Sequence, residues 1–196
     1  MITLYHGSSR QFNKFDLREC GNGDGRNVGG WGIYFNKIRE VALEYVTKGG
    51  ALYTCHVYED GFWFDLDEEV DQDTLSRIHK RLIRMGKDPA DIQQFTHDFM
   101  SPEQPVTGQQ VYDWLSHIFN GPREASSFLR SIGSDGNTFL DRGTVDAASK
   151  TNNPELLENG KGRNYVLFDE DNLSIRRMET YDELQNPQQD GDTGQS

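Results

Sequence analysis

The stretch GWGIYFNKIREVALEY, residues 30–45, decides how the rest of the chain is read. Its GIYF portion has the β-branched and aromatic content of a strand end. From Ile38 the period changes: Ile38, Val41, Ala42 and Tyr45 recur at helical spacing and predict one buried stripe. Before it lies the glycine- and asparagine-rich segment from Ser8 to Gly30, a long irregular loop of the kind that carries function in compact domains. Before the loop, ITLY (2–5) reads as a short strand and runs into HGSS (6–9).

Downstream, ALYTCHVYED alternates as a strand, with Leu52, Thr54 and His56 on one face and Tyr53, Cys55 and Val57 on the other. The run containing Asp65, Asp67, Glu68 and Glu69 reads as a solvated turn. Four helical patterns follow. In the first, Leu75, Ile78, Leu82 and Met85 form the apolar set and Gly86 the stop. The second begins at Pro89, in its first turn. Thr107 caps the third, whose apolar face is Val111, Trp114, Leu115, Ile118 and Phe119. The fourth carries Ala125, Phe128, Leu129 and Ile132. Short strand patterns return in GNTFLDRG, NYVLFD and LSIRRM. The expected architecture is α+β: residues 1–180 as one domain with strands at both ends, a helical insertion at about 70–133, and a flexible tail over 181–196.

Of the 196 residues, 32 are acidic and 20 basic, a formal charge of -12 that repels phosphate backbones unless basic residues cluster, and no cluster stands out. Eleven Phe, eight Tyr and three Trp supply core volume. The N-terminus has no secretory pattern and no apolar run reaches membrane-spanning length, so a soluble, cytoplasmic protein is expected. Cys20 and Cys55 fit neither a disulfide framework nor a metal site, and His56, His79, His97 and His117 lack paired spacing, so no metal is expected. GNGDGRNVGGWG has no GK[ST] and does not open directly into a helix, which excludes both common phosphate-loop readings.

The order of LYHGS, a glycine-rich loop, GIYF, a tyrosine eleven residues after Tyr34 and a late NYVLFD resembles the ADP-ribosyltransferase catalytic domain of the diphtheria-toxin and poly(ADP-ribose) polymerase type, the H-Y-E group. The resemblance covers residues 2–57 and about 136–177. It implies a split antiparallel β core and an enzyme that uses NAD as co-substrate, releases nicotinamide and transfers ADP-ribose to a macromolecular acceptor, protein or nucleic acid. Among relatives such compact domains act as bacterial or phage toxins or effectors, which implies an antitoxin partner.

By the same resemblance, His6 hydrogen-bonds a ribose hydroxyl, Gly7 receives the carboxamide on its main chain, Ser8 touches the ligand, and Tyr34 and Tyr45 stack on the nicotinamide. The triad is then His6, Tyr34 and Asn164. Asn164 stands where the family has glutamate, and an amide positions a hydroxyl without contributing charge. Relatives without the glutamate are usually mono-transferases or inactive, so poly(ADP-ribose) synthesis is not expected. Glu155 and Glu158 are the loop carboxylates that would substitute. Ala42 replaces a common serine, and Arg26 in the loop from Asn22 to Val28 is a pyrophosphate candidate. NAD hydrolysis and a catalytically weak NAD or ADP-ribose binding module are the alternatives.

Overall fold

A computed structural model describes residues 1–20, 29–58, 60–100, 105–140 and 162–186. Arg26 with the loop 22–28, Glu155, Glu158 and the tail beyond residue 186 lie outside the described residues.

Seven strands form one sheet: β1 (Ile2–Ser8), β2 (Ile33–Asn36), β3 (Ala51–Val57), β4 (Phe62–Asp65), β5 (Ser134–Leu140), β6 (Arg163–Leu167) and β7 (Leu173–Thr180), in the order β4-β5-β6-β2-β1-β3-β7. All neighbours are antiparallel except β4 and β5, which run parallel. The sheet is therefore mixed, not the wholly antiparallel core expected. β4 has no counterpart in the sequence reading, because FWFD runs directly into the acidic stretch read as a turn. The parallel pair also needs a long crossover, and α2 (Gln72–Arg84), α3 (Pro89–Phe99), α4 (Gly108–Ile118) and α5 (Pro122–Ser131) supply it between β4 and β5. With α1 (Arg39–Leu43) and α6 (Tyr181–Gln185) the fold mixes helix and sheet in the manner of α+β. Among the described residues no helix is long and apolar enough to cross a membrane.

The sheet separates two apolar clusters. On one face Leu4, Ile33, Phe35, Tyr53, Cys55, Val57, Tyr165 and Leu167 pack under Phe15, with Phe12 and Leu17 against them. The other face, through Phe64 and Val166, meets α2–α5, whose Leu75, Ile78, Leu82, Phe95, Val111, Trp114, Leu115, Phe128 and Leu129 close the second cluster. Local signals set these helices. Asp71 caps α2 through Thr74 N–H, Asp88 caps α3, and Thr107 with Gln110 forms a capping box on α4.

Several side chains depart from the sequence reading. Met85 is 47% exposed and Tyr45 61% exposed, because α1 ends at Leu43 and α2 at Arg84 before either can turn inward. The tail begins as structure: Thr180 and Glu183 form a capping box that starts α6. Asp65, Asp67 and Glu68 are not a plain solvated turn. Arg163 Nη1 lies 2.5 Å from Asp65 Oδ2, Arg163 Nη2 lies 3.6 Å from Glu68 Oε1, and Asp67 Oδ2 accepts the Leu140 N–H at 2.6 Å. A basic cluster does exist: Arg77, Lys80, Arg81 and Arg84 share one face of α2, at a spacing visible only once the helix is laid out.

Candidate functional site

β1 keeps a seven-residue ladder with β3, from Ile2 opposite Val57 to Ser8 opposite Ala51. With β2 it shares a single pair, Tyr5 with Asn36. The two strands part beyond it, and His6 bridges the gap: its Nδ1 donates to the main-chain carbonyl of Tyr34 at 2.7 Å. A carbonyl only accepts, so this bond fixes the tautomer and makes Nε2 the acceptor of the neutral ring. The imidazole sits among Phe12, Phe15, Phe35 and Tyr53, with ring centroids 5.0–6.1 Å away. Desolvation among these rings pushes its pKa below the ordinary histidine value, against the opposing pull of the Tyr34 carbonyl. Tyr53 steadies the shell: its hydroxyl accepts the Phe12 N–H at 2.6 Å and donates to the Phe12 carbonyl at 2.9 Å, and its ring stacks on Phe12.

Tyr34 presents its side chain to the opposite face, against the helical cluster. His6 and Tyr34 are thus joined by main chain and not by their rings. The phenol of Tyr34 donates to the Gly30 carbonyl at 2.6 Å and accepts the Gly29 N–H at 3.2 Å, and burial pushes its pKa up. Two further groups hold the same loop. Asn137 Nδ2, fully buried on β5, donates to the Gly29 carbonyl at 2.8 Å. Tyr112 of α4 accepts the Trp31 N–H at 3.2 Å while donating to the Pro122 carbonyl at 2.8 Å. Gly30 has φ +100, and a Cβ there would stand 2.5 Å from the Tyr112 hydroxyl, so both backbone and space demand glycine. The Arg123 guanidinium lies 5.1 Å from the Trp31 ring.

Gly7 is required for a different reason. A Cβ on it would strike the Ala42 carbonyl, so glycine lets α1 lie directly on β1. The same contact brings Tyr45 beside Gly7, its Cβ 3.1 Å from that position, with an exposed ring. Ser8 Oγ accepts the Arg10 N–H at 3.1 Å, closing a local turn.

Asn164 pairs with Asn36 across β6 and β2. Asn36 is buried, its Oδ1 accepts the Ile38 N–H at 2.6 Å, and this main-chain donor orients the amide. Asn36 Nδ2 therefore donates to Asn164 Oδ1 at 2.9 Å, leaving Nδ2 as the donor end of Asn164. Strand alternation puts Tyr34, Asn36 and Asn164 on one face with Tyr5 and Gly7, and the His6 ring on the other.

A cavity of about 420 Å³ lies behind α1, between Leu43, Val46, Arg39, Glu179, Tyr181 and Leu184, and none of the predicted site residues lines it. Among the described residues no cluster of three or more His, Cys, Asp or Glu is placed to hold a metal ion. Asn36, Asn137 and Tyr112 were not anticipated. Asn36 had a signal, two positions past Tyr34 on the same strand face, whereas Tyr112 is distant in sequence from the loop it holds. No protein-family model matches this chain, and no curated protein and no solved structure shows significant similarity to it.

Proposed function

We propose that the chain is a mono-ADP-ribosyltransferase that binds NAD at the parting of β1 and β2. The observation that carries this reading is the His6 Nδ1–H bond to the Tyr34 carbonyl, which joins the HGS and GIYF motifs and commits Nε2 to accepting. In this reading the ligand lies on the face of Gly7, Tyr45 and Asn164, and the His6 ring, on the opposite face, fixes the Tyr34 main chain beside it instead of touching the ribose as expected. Gly7 offers its main chain to the carboxamide, and the exposed ring of Tyr45 stacks on the nicotinamide. The Tyr34 phenol, engaged with Gly29 and Gly30, shapes the entrance loop instead of stacking freely.

The glycosidic C–N bond breaks with its electron pair going to the nicotinamide, which leaves neutral. The ribose carbon, with oxocarbenium character, bonds to an acceptor nucleophile whose proton passes to solvent. Such a reaction asks the protein for position and electrostatics above all. Asn164, aligned by Asn36, positions the ribose but adds no negative charge, which favours slow single transfers over chain synthesis.

The test is NAD labelled in its adenine, incubated with the protein alone and with cell lysate, followed by separate protease and nuclease digestion. Labelled macromolecule supports the transferase. Free ADP-ribose without lysate indicates hydrolysis, and binding without nicotinamide release indicates a binding module. Absence of NAD uptake by calorimetry would sink all three.

A further inference from the structure

From Thr74 to Lys87, TLSRIHKRLIRMGK holds five basic residues and no acidic one, in a chain where acids outnumber bases 32 to 20. Arg77, Lys80, Arg81 and Arg84 share one face of α2, away from buried Leu75, Ile78 and Leu82, with Asp73 on the same face one turn before Arg77. Arg77, Lys80 and Arg84 are exposed. Their hydrogen bonds and ring contacts go to neutral groups: the Arg77 guanidinium lies 4.3 Å from the Phe62 ring centre and donates to Thr74 Oγ1, and Arg81 Nε donates to Ser131 Oγ; the charge of Arg77 also reaches the Asp71 carboxylate. Among the described residues none of the four forms an ion pair. Arg81 and Arg84 suit the negative end of the helix dipole, but Arg77 and Lys80 stand too far from it to be explained that way.

We infer that this face of α2 docks the phosphate backbone of a nucleic acid. Seven residues of helix separate Arg77 from Arg84, about 10 Å, which spans about three phosphates at the rise of one strand. A basic stripe along one helix is the electrostatic footprint of such binding. An acidic polypeptide would also seek an apolar anchor, but the exposed Ile83 and Met85 lie on opposite flanks of the stripe and not within it. Arg77, at the N-terminal end of the stripe, lies against Phe62 of β4, three strands from β2 or about 14 Å at ordinary strand spacing. Docking there stands without the NAD reading; that the bound nucleic acid serves as the ADP-ribose acceptor rests on it.

The test is fluorescence anisotropy of a fluorescein-labelled DNA oligonucleotide of about 24 nucleotides, single-stranded and as a duplex, with the full chain and no NAD. At least one probe should bind, and raising salt from about 50 to about 200 mM should weaken binding several tens-fold, as three or four phosphate contacts require. The double variant Lys80→Gln, Arg84→Gln alters exposed side chains that make no hydrogen bond or ion pair among the described residues, and unchanged thermal melting verifies its fold. It should bind at least tenfold more weakly at low salt. The inference is overturned if neither probe binds, if the variant binds as tightly as the parent, or if poly-L-glutamate outcompetes the oligonucleotide. NAD turnover without oligonucleotide binding would reject this surface and leave the transferase reading standing.

Discussion

The ring of His6 donates through Nδ1 to the main-chain oxygen of Tyr34, spanning the place where β1 and β2 have stopped pairing. Protonation keeps this bond but puts charge among four aromatic rings, so the folded state favours the neutral ring. Because the folded pKa is lowered, the unfolded chain takes up the proton first as pH falls. The contribution of His6 is fully present above the unfolded value of about 6.5 and is lost between there and the folded pKa. Melting temperature followed from pH 8 downward should drop more steeply for the parent than for His6→Asn across that window. Parallel curves would contradict the assignment.

Removing the hydroxyl of Tyr34 takes from the Gly30 carbonyl its donor and from the Gly29 N–H its acceptor. Tyr34→Phe should cost about 1–3 kcal/mol in urea unfolding, and Tyr112→Phe a similar amount. Both phenols hold the same loop, so the double variant should lose less than the sum of the two. Additivity would mean that the loop is not held as one unit.

Tyr45 contrasts with Tyr34. Its ring is exposed, so Tyr45→Ala should leave the melting temperature nearly unchanged. If the ring stacks on nicotinamide, NAD affinity should fall tenfold or more, since a stacked ring contributes about 1–3 kcal/mol in comparable settings. Calorimetry with NAD reads this directly, and an unaltered Kd would exclude the stacking role.

Asn164 Oδ1 accepts from Asn36, a role a carboxylate also fills. Asn164→Glu should therefore fold and, on the proposed NAD reading, in which it places negative charge beside the ribose, raise NAD turnover at least tenfold, about 1.4 kcal/mol of barrier. Nicotinamide release is the readout. No increase would shift attention to Glu155 and Glu158.

Arg163 ties the start of β6 to Asp65 and Glu68, and its side chain is only 16% exposed. Arg163→Met should cost about 2 kcal/mol, because it strands the partly buried Asp65 carboxylate. Chemical denaturation of this variant and of Asp65→Asn should show strong coupling between the two sites.

The helices were the most legible part of the fold. Thr107 caps where its side chain predicts, and Leu75, Ile78, Leu82, Val111, Trp114 and Leu115 are buried as their spacing requires, since both signals act within a few residues. The strands of β2, β3 and β6 were also readable from local pattern. β4 was not, because FWFD runs straight into the acidic stretch after it and its partner β5 lies some seventy residues away.

For the candidate site, sequence alone determined that HGSS, GIYF and NYVLFD would sit at or beside strands. Tertiary structure decided what those side chains do. Alternation along β1 and β2 sends the His6 ring and the Tyr34 phenol to opposite faces, and a helix far along the chain supplies the hydroxyl that grips Trp31. The cause is range. Caps and periods are set by neighbours in sequence, whereas strand register and the pairing of buried polar groups depend on which distant segments close the sheet.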